Sequence, residues 1–482
     1  MRLRVICVLF AAVALAPADT IRLKNGRTIV ADHVTQANGR LEYQIGDDVY
    51  RIPLSLVDKV ESGGTPVTSA SAPRGSEKDA KPAGEAAAIV ADLPPLTSQL
   101  PPQAADVEAR VLRDGRLDTE ALRAIELQGN APVTAFALTI AGAYEQRLGD
   151  LDRAAGYFRR GLDLQPDSAL LHARYAGVLL SRERYSEALP HAERAVKLEP
   201  DSPDYLALLG FVYFFSDRTK EAIAPWQRSL AIRPNDLVRR NLAKAQRELN
   251  AESGFGQQES GHFTLHYEGR ESPAELRREL LVALEADYTD LAREFGVEPR
   301  ENVPVVLYTN QAFFDVTQAP SWADAINDGK LRIPLDHVTS LTPDLARVLK
   351  HELAHTFINQ ITRGRAPQWL HEGVAQLMEP RDVAPIGPNL ARMFAATSYV
   401  PFNMLEASFT GMHGEQAGVA YAESLAAADY IRATYGMSDL VRILQRIGEG
   451  AATEAALRAT IHSGYAGFEQ ELGAYLQRTY GK

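Results

Sequence analysis

The chain has 482 residues, of which 45% are hydrophobic and 23% charged, as is typical of a folded protein with several domains. Its formal net charge of −11 argues against a nucleic-acid partner, because such partners require a basic surface. The single cysteine, Cys7, lies within the first 18 residues. A mature chain without these residues has no disulfide, thiolate metal site or cysteine nucleophile, so a metal must be held by His, Asp or Glu.

Residues 1–18 have the features of a secretory signal peptide. Arg2 and Arg4 precede an apolar run over residues 5–15, and residues 16–18 (Ala-Pro-Ala) form a typical cleavage site. The run is shorter than the roughly 20 apolar residues that a membrane span needs. We expect a periplasmic or secreted protein with no stable membrane span after cleavage; an uncleaved anchor is the alternative.

Residues 19–60 alternate short apolar runs with turn pairs, including Asn-Gly at 25–26 and 38–39. Asn-Gly between such runs indicates β-hairpins, and we predict a small all-β, barrel-like module of about five strands that resembles SH3-like or Sm-like domains. We assign it a docking or spacer role. Residues 61–102 are rich in Gly, Ser, Ala and Pro, which predicts a disordered linker.

Residues 104–250 have helical periodicity and contain an internal repeat. Pro166, Pro200 and Pro234 lie 34 residues apart in similar contexts, small residues recur 12 and 24 positions before each, and Phe158, Ala192 and Trp226 lie eight before. Period and residue type resemble tetratricopeptide repeats (TPRs) over about residues 134–236. The resemblance implies an α-helical solenoid whose groove binds a peptide or protein partner; support of the neighbouring domain is the alternative.

Residues 259–482 have a mixed α+β pattern. Strands are predicted at 263–267 and 303–308, with a helix at about 273–295 between them, and a third strand at 330–335 is placed at the sheet edge because it contains a proline. Helices follow in the rest of the chain. We therefore predict a multidomain α+β protein with a β-module, a TPR solenoid and a C-terminal α+β domain.

The segment from Leu341 to Ile358 has helical periodicity and contains His351-Glu352-Leu353-Ala354-His355. Histidines four residues apart project from one face of a helix, and both can reach one Zn2+ at roughly 2.0–2.1 Å. Glu352 can take a proton from the water that attacks a carbonyl. The spacing predicts a zinc site with His351 and His355 as ligands; a chance match is the alternative.

A catalytic zinc needs a third protein ligand. After a turn-rich break, residues 368–378 have the pattern of another amphipathic helix that contains Glu372. His-Glu-Leu-Ala-His followed by Pro-x-Trp-Leu-x-Glu-Gly-x-Ala resembles the gluzincin zinc peptidases, in particular the bacterial peptidase MA-like group, over about residues 259–480. The resemblance implies a zincin-like domain with Glu372 as third ligand and Glu352 as general base. It also implies that the edge strand at 331–335 holds an extended peptide antiparallel.

One position departs from the resemblance. Thermolysin-like gluzincins have an Asp four residues after the ligand Glu, where it orients a zinc-binding histidine, and this chain has Gln376 there. We expect Gln376 or Asn359 to take this role; a weaker metal site is the alternative. His371 is a rival ligand, but adjacent helical residues point about 100° apart, so His371 and Glu372 cannot easily bind one ion. We favour Glu372.

Peptide hydrolysis also needs a hydrogen-bond donor to the oxyanion. Ala420-Tyr-Ala-Glu-Ser424 resembles the Tyr-x-x-Ser segment that follows the zinc site in peptidase MA-like sequences, which implies this role for Tyr421. A buried core tyrosine is the alternative, and His413 is a weaker candidate donor.

Together these features predict an exported zinc metallopeptidase that hydrolyses peptide bonds by zinc-activated water, with a TPR array that recruits a protein substrate or partner. The alternative is a non-catalytic envelope scaffold in which a pseudo-peptidase domain binds metal without turnover. Hydrolysis of another amide, such as cell-wall peptide, would use the same metal chemistry.

Overall fold

The computed structural model describes residues 18–23, 28–31, 33–37, 40–45, 48–54, 57–64, 106–269, 272–318, 325–335, 338–379, 381–409, 412 and 414–481. The predicted signal peptide, apart from its last residue, and most of the predicted linker lie outside these residues. By its internal packing the chain divides into two compact units. The first comprises residues 1–78, 386–420 and 463–482, and the second comprises residues 79–385 and 421–462.

The β-module at the N-terminal end of the first unit contains six strands among the described residues. They are β1 (Ala18–Leu23), β2 (Thr28–Ala31), β3 (His33–Ala37), β4 (Arg40–Ile45), β5 (Asp48–Pro53) and β6 (Val57–Gly64). They form two antiparallel sheets in the orders β2-β1-β6 and β3-β4-β5, where the sequence predicted a barrel-like module of about five strands. The last strand also extends to Gly64, into the segment predicted as linker, because its residues pair with β1.

The helical array of the second unit begins with a short helix and a two-stranded hairpin. Its elements are α1 (Val107–Val111), β7 (Leu112–Arg113), β8 (Arg116–Leu117), α2 (Thr119–Leu127), α3 (Ala131–Leu148), α4 (Leu151–Leu164), α5 (Ala169–Ser181), α6 (Tyr185–Leu198), α7 (Pro203–Phe215), α8 (Thr219–Ile232) and α9 (Asp236–Ala251). The predicted helix pairs over residues 134–236 are confirmed. The hairpin β7–β8 separates the first two helices, α1 and α2, which precede the repeats.

Close helix packing explains the small and aromatic residues of the repeat. Trp226 is fully buried, and its indole N–H donates to the carbonyl of Ala207 at 3.1 Å. A Cβ atom at Gly210 would lie 2.4 Å from the Trp226 ring. Helix α7 can therefore approach α8 this closely only because residue 210 has no side chain. Close approach of the paired helices thus accounts for the small residue 24 positions before Pro234.

The remaining elements form the mixed part of the chain. They are β9 (Gly256–Glu259), β10 (Phe263–Tyr267), α10 (Ala274–Phe295), β11 (Val303–Tyr308), α11 (Asn310–Thr317), β12 (Ile326–Asn327), β13 (Leu331–Pro334), α12 (Pro343–Thr362), α13 (Gln368–Met378), α14 (Gly387–Ala395), a 3-10 turn (Phe402–Met404), α15 (Gly414–Tyr435), α16 (Met437–Gly448), α17 (Thr453–Ile461) and α18 (Tyr465–Tyr480). The strands β9 to β13 form one sheet in the order β12-β13-β11-β10-β9.

The prediction that the strand at 330–335 forms the sheet edge is wrong. β13 lies between β11, with which it pairs in parallel, and the antiparallel β12, which occupies the edge. Pro334 is tolerated because it lies two residues beyond Arg332, the last residue of β13 that pairs with β12.

A buried ion-pair network joins the last array helix to this sheet. Glu248 on α9 lies 2.6 Å from Nη2 of Arg332 on β13 and 3.3 Å from Nζ of Lys330. Burial alone would raise the pKa of Glu248, but the charges of Arg332 and Lys330 outweigh it and hold that pKa below its usual value. The array and the sheet are therefore parts of one packed unit.

The first unit also contains helices from the C-terminal part of the chain. α14 packs against α18, and the Asn403 amide donates to the hydroxyl of Tyr43 on β4 at 3.0 Å. Residues 386–420 and 463–482 thus pack with the β-module, although the sequence assigns them to the domain at 259–482. No described helix combines the length and hydrophobicity that crossing a membrane requires.

Candidate metal centre

The predicted metal motif lies on α12, whose start is determined by local sequence. The hydroxyl of Thr342 accepts from the amide of Leu345 at 3.2 Å, and Pro343 occupies the first turn, where no intrahelical amide donor is needed. The helix continues through both histidines of the motif. The rings of His351 and His355 therefore project from one face and meet edge to face, with centroids 4.7 Å apart.

Three candidate ligand atoms converge at this face. Nε2 of His351 lies 3.2 Å from Nε2 of His355, and Oε2 of Glu372 lies 3.5 Å and 3.7 Å from these nitrogens. Two ligands held tetrahedrally at roughly 2.0–2.1 Å from zinc are about 3.3 Å apart, which agrees with these separations. The structure brings together all three predicted ligands, and their donor set fits zinc.

Glu372 is positioned by its own helix and by the close approach of a second one. A Cβ atom at Gly373 would lie 2.2 Å from the backbone carbonyl oxygen of Ser424, so α13 and α15 can cross here only because residue 373 is glycine. The side-chain amide of Gln368 donates to Oε1 of Glu372 at 2.7 Å, while Oε2 is the oxygen near the histidines. Gln368 therefore orients the carboxylate.

Glu379 is a functional candidate that sequence reasoning missed. Its Oε1 lies 3.3 Å from Nδ1 of His351, its side chain is 2% exposed, and its Oε2 accepts from Arg347 at 2.8 Å. A proton on Nδ1 of His351 leaves the Nε2 lone pair directed at the cluster, as metal binding requires. Seven residues are close to two helical turns, so the spacing from Glu372 was the available signal.

The expected roles of Gln376 and Asn359 need correction. The Gln376 amide donates to the backbone carbonyls of Glu372 and Tyr421, and its oxygen accepts from Arg381, so it does not orient a histidine. Asn359 Oδ1 accepts from Nε2 of His371 at 3.0 Å.

His371 lies beside the ligand cluster. Its ring is buried and stacks on that of His355, with centroids 4.3 Å apart and an interplanar angle of 6°. Stacking and the bond to Asn359 support the ring of His355, and they direct Nε2 of His371 to Asn359. This agrees with the choice of Glu372 over His371 as the candidate ligand.

The candidate base is a buried carboxyl group. Glu352 is 8% exposed, and burial raises its pKa to about 7, with the charge of His351 opposing the rise and that of Glu372 adding to it. The pKa of His351 rises to about 10 because its close contacts with the carboxylates of Glu372 and Glu379 outweigh its burial. The Asn327 amide on β12 donates to the backbone carbonyl of Glu352 at 2.7 Å, which ties the sheet edge to the helix.

Tyr421 lies on α15 within the electrostatic range of the cluster. Its burial raises the pKa of the phenol well above the usual value, and the charges of Glu372 and Glu352 raise it further. The hydroxyl therefore keeps its proton at neutral pH and can act as a donor. His413 lies outside the described residues.

Comparisons with known proteins identify two regions of the chain. Residues 285–478 match the Peptidase MA superfamily, and residues 146–209 match the tetratricopeptide repeat. The chain therefore carries a Peptidase MA superfamily domain together with TPRs. The first match includes all three candidate ligands.

Similar curated proteins match about a fifth of the chain. The Hsp70-Hsp90 organizing protein of Triticum aestivum is 32% identical over 104 residues, which cover 21% of this chain and 18% of that protein. Sperm-associated antigen 1 of Mus musculus is 28% identical over 102 residues, which cover 21% of this chain and 11% of that protein. The match thus spans less than a fifth of either relative.

Similar solved structures include two TPR domains. The second TPR domain of human RPAP3, solved in complex with the HSP70 peptide SGPTIEEVD, is 24% identical and covers 24% of this chain and 98% of its own, with a TM-score of 0.24. The first TPR domain of the same protein is 22% identical and covers 24% of this chain and 92% of its own, with a TM-score of 0.23.

Proposed function

We propose that this protein is an exported zinc metallopeptidase of the gluzincin type, whose TPR array recruits a protein substrate or partner. The observation that carries the proposal is the convergence of His351, His355 and Glu372 beside the buried carboxyl group of Glu352. A structural cluster of the same residues would have no need of an additional buried acid, because burying a carboxyl group costs free energy. Enzymes commonly accept this cost where proton transfer requires it.

The residues of the site divide the chemistry among them. His351, His355 and Glu372 would hold the zinc, which supplies Lewis acidity that polarises a carbonyl and lowers the pKa of water to about 7. Glu352 takes the proton of the attacking water and returns it to the leaving amine, a role that suits a carboxyl group whose pKa is about 7. Tyr421 donates its hydroxyl to the oxygen that becomes negative.

The sheet edge provides a place for the substrate backbone. β12 is the edge strand, and Asn327 connects it to the backbone of Glu352 and to the hydroxyl of Thr356. An extended peptide that pairs with this edge would be held next to the candidate base. This role, first predicted for residues 331–335, is therefore assigned to β12.

The proposed location and recruitment rest on other parts of the chain. The Arg2–Arg4 charge, the apolar run and the Ala-Pro-Ala site support export to the periplasm or medium. The TPR array supports recruitment of a protein partner, because solenoids present extended binding surfaces. We assign no further role to the β-module.

Metal analysis and turnover test the proposal together. The purified mature protein should contain about one zinc per chain, and His351→Ala should lose it. Glu352→Gln should keep the zinc and lose cleavage of casein and of a mixed fluorogenic peptide library. Glu298→Gln, which changes an exposed glutamate elsewhere in the domain, is the matched control and should behave like wild type.

Two results would contradict the peptidase proposal. Equal behaviour of wild type and Glu352→Gln, with zinc present in both, would favour the non-catalytic scaffold. An unchanged profile of exported proteins in a strain carrying Glu352→Gln would argue against proteolysis in the cell. Cleavage of cell-wall peptide but not of casein would move the substrate to that class without changing the metal chemistry.

A further inference from the structure

A polar cavity lies where the TPR array meets the helix of the candidate metal site. Its volume is ≈ 270 Å³, more than an order of magnitude above the roughly 10–15 Å³ that one water needs. All of its lining residues are polar. They are Asp152, Ser181, Arg182, Glu183, Arg184, Arg300, Asn359, Gln360 and Arg363.

The cavity is framed by two functional elements. One wall is the turn between α5 and α6 of the array, together with the first turn of α4. The other wall is the C-terminal part of α12, where Asn359 lies four residues after His355, about 6 Å along the helix axis. Asn359 also contacts His371, which stacks on His355. A ligand in this cavity would therefore contact both the repeat array and the helix of the metal site.

Positive charge in the cavity exceeds the negative charge that faces it. Asp152 is shared by Arg182, at 2.5 Å, and Arg363, at 3.0 Å. Burial lowers the pKa of Arg182, and repulsion from Arg363 and two further arginines lowers it further. The negative charge of Asp152 acts in the opposite direction. Burial also raises the pKa of Glu183 to about 7, so this acid carries only part of its charge near neutral pH.

The other two arginines differ in their partners. Arg184 forms an ion pair with Glu187, whereas Arg300 is exposed and has no hydrogen-bond or ion-pair partner among the described residues. The side-chain amide of Gln360 is likewise unpartnered in the described part of the chain. The chain as a whole has a net charge of −11, but four arginines line this one cavity. The cavity is therefore a region of local positive charge that would attract an anion.

We propose that this cavity binds the carboxylates of an acidic peptide segment of a protein partner. Guanidinium groups match the planar geometry of carboxylates, and they do so with two parallel hydrogen bonds. The volume exceeds what a single small oxyanion fills, and the location on the repeat array favours a peptide over a free ion. The inference rests on the proposed recruitment of a protein partner, but it does not require the chain to hydrolyse peptides.

Calorimetric titration of the full mature chain carrying Glu352→Gln tests the proposal without interference from cleavage. The probes are an acetylated octapeptide with four consecutive glutamates, the same peptide with four glutamines, and inorganic phosphate. We expect the acidic peptide to bind and the glutamine peptide not to. Binding should weaken as salt rises from 0.05 to 0.3 M, on the order expected for charge screening.

Two further variants locate the binding. Arg300→Gln removes the unpartnered cation, and Gln360→Glu adds a negative charge at nearly unchanged volume; each should weaken binding of the acidic peptide at least about tenfold. Arg159→Gln, at an exposed arginine of α4 outside the cavity, is the matched control and should bind like its parent. Thermal unfolding of each variant checks that the fold is kept.

Several outcomes would overturn the proposal. Absence of acidic-peptide binding, or binding that neither Arg300→Gln nor Gln360→Glu weakens, would refute a site in this cavity. Phosphate that binds as tightly as the peptide would show a site for a free anion instead. Failure of the peptidase proposal alone would leave these titrations unchanged, because they use a variant without turnover.

Discussion

Replacement of Glu248 by glutamine should destabilise the second unit by about 3 kcal/mol. Glu248 is fully buried, and its two oxygens face Nη2 of Arg332 at 2.6 Å and Nζ of Lys330 at 3.3 Å. The substitution keeps the size of the side chain and removes its charge. Arg332 and Lys330 then remain buried with less negative charge to balance them, which is costly in a medium of low dielectric constant.

The magnitude follows from the partners that remain. Removal of one member of a buried ion pair typically costs about 3–5 kcal/mol. Arg332 keeps Asp328, whose oxygens lie 2.9 Å and 3.0 Å from its Nε, and Lys330 keeps Asp217 at 2.8 Å. These contacts limit the loss, so we place it at the lower end of that range.

Urea unfolding of the wild type and the variant gives the measurement. The midpoint should fall with little change in slope, because the same surface is exposed on unfolding. Glu294→Gln, at an exposed position of α10, is the matched control and should change the free energy of unfolding by less than about 0.5 kcal/mol. The double variant Glu248→Leu with Arg332→Met should recover part of the loss, because it removes both charges.

A free energy of unfolding for Glu248→Gln within 1 kcal/mol of wild type would refute this reasoning. It would mean that water or the remaining acids neutralise the two cations.

Three further predictions concern the site and its surroundings. Glu379→Gln should raise the zinc dissociation constant about tenfold, as measured by competition with a chelator. Loss of a residue that orients a metal ligand typically lowers metal affinity about 10–100-fold. We expect the lower end because Glu379 also stabilises the proton that competes with zinc for His351. The pKa of Asp217 is lowered to about 2, because its hydrogen bonds to His266 and Lys330 outweigh its burial. The ionised carboxylate therefore stabilises the folded state fully above about pH 4, and this stabilisation is lost as the pH falls toward 2. Asp217→Asn should remove this part of the pH dependence of the free energy of unfolding. Tyr421→Phe should lower kcat about 10²-fold with zinc retained, and an unchanged kcat would eliminate it as the oxyanion donor.

The parts of the site that follow helical periodicity could be predicted from sequence. His351 and His355 are four residues apart, and any helix through them brings their rings together. Residues far apart in sequence that contact through tertiary packing could not be found this way. Asn327 reaches the backbone of Glu352 from a two-residue strand, and no periodic pattern marks so short an element.

The same reason accounts for the errors in the fold. A proline in the strand at 330–335 indicated an edge, yet the edge is taken by β12, which pairs with the first two residues of β13. Glu248, Lys330 and Arg332 are read from sequence as surface charges, since charged side chains are rarely buried. Only the folded chain brings them together, so their role in joining the array to the sheet could not be inferred beforehand.

Position 376, where this chain has glutamine in place of the expected aspartate, does not contact a histidine; Glu379 makes that contact. A residue four after Glu372 would be the expected orienting carboxylate, but Gln376 instead links the backbones of α13 and α15 by donating to the carbonyl of Tyr421 at 3.0 Å. Glu379, at the end of α13, takes over the contact with His351. The helix that carries Glu372 thereby also holds α15, the helix of the candidate oxyanion donor. Glutamine at position 376 is thus compatible with a complete site, because Glu379 provides the carboxylate that contacts His351 and Gln376 connects the two helices.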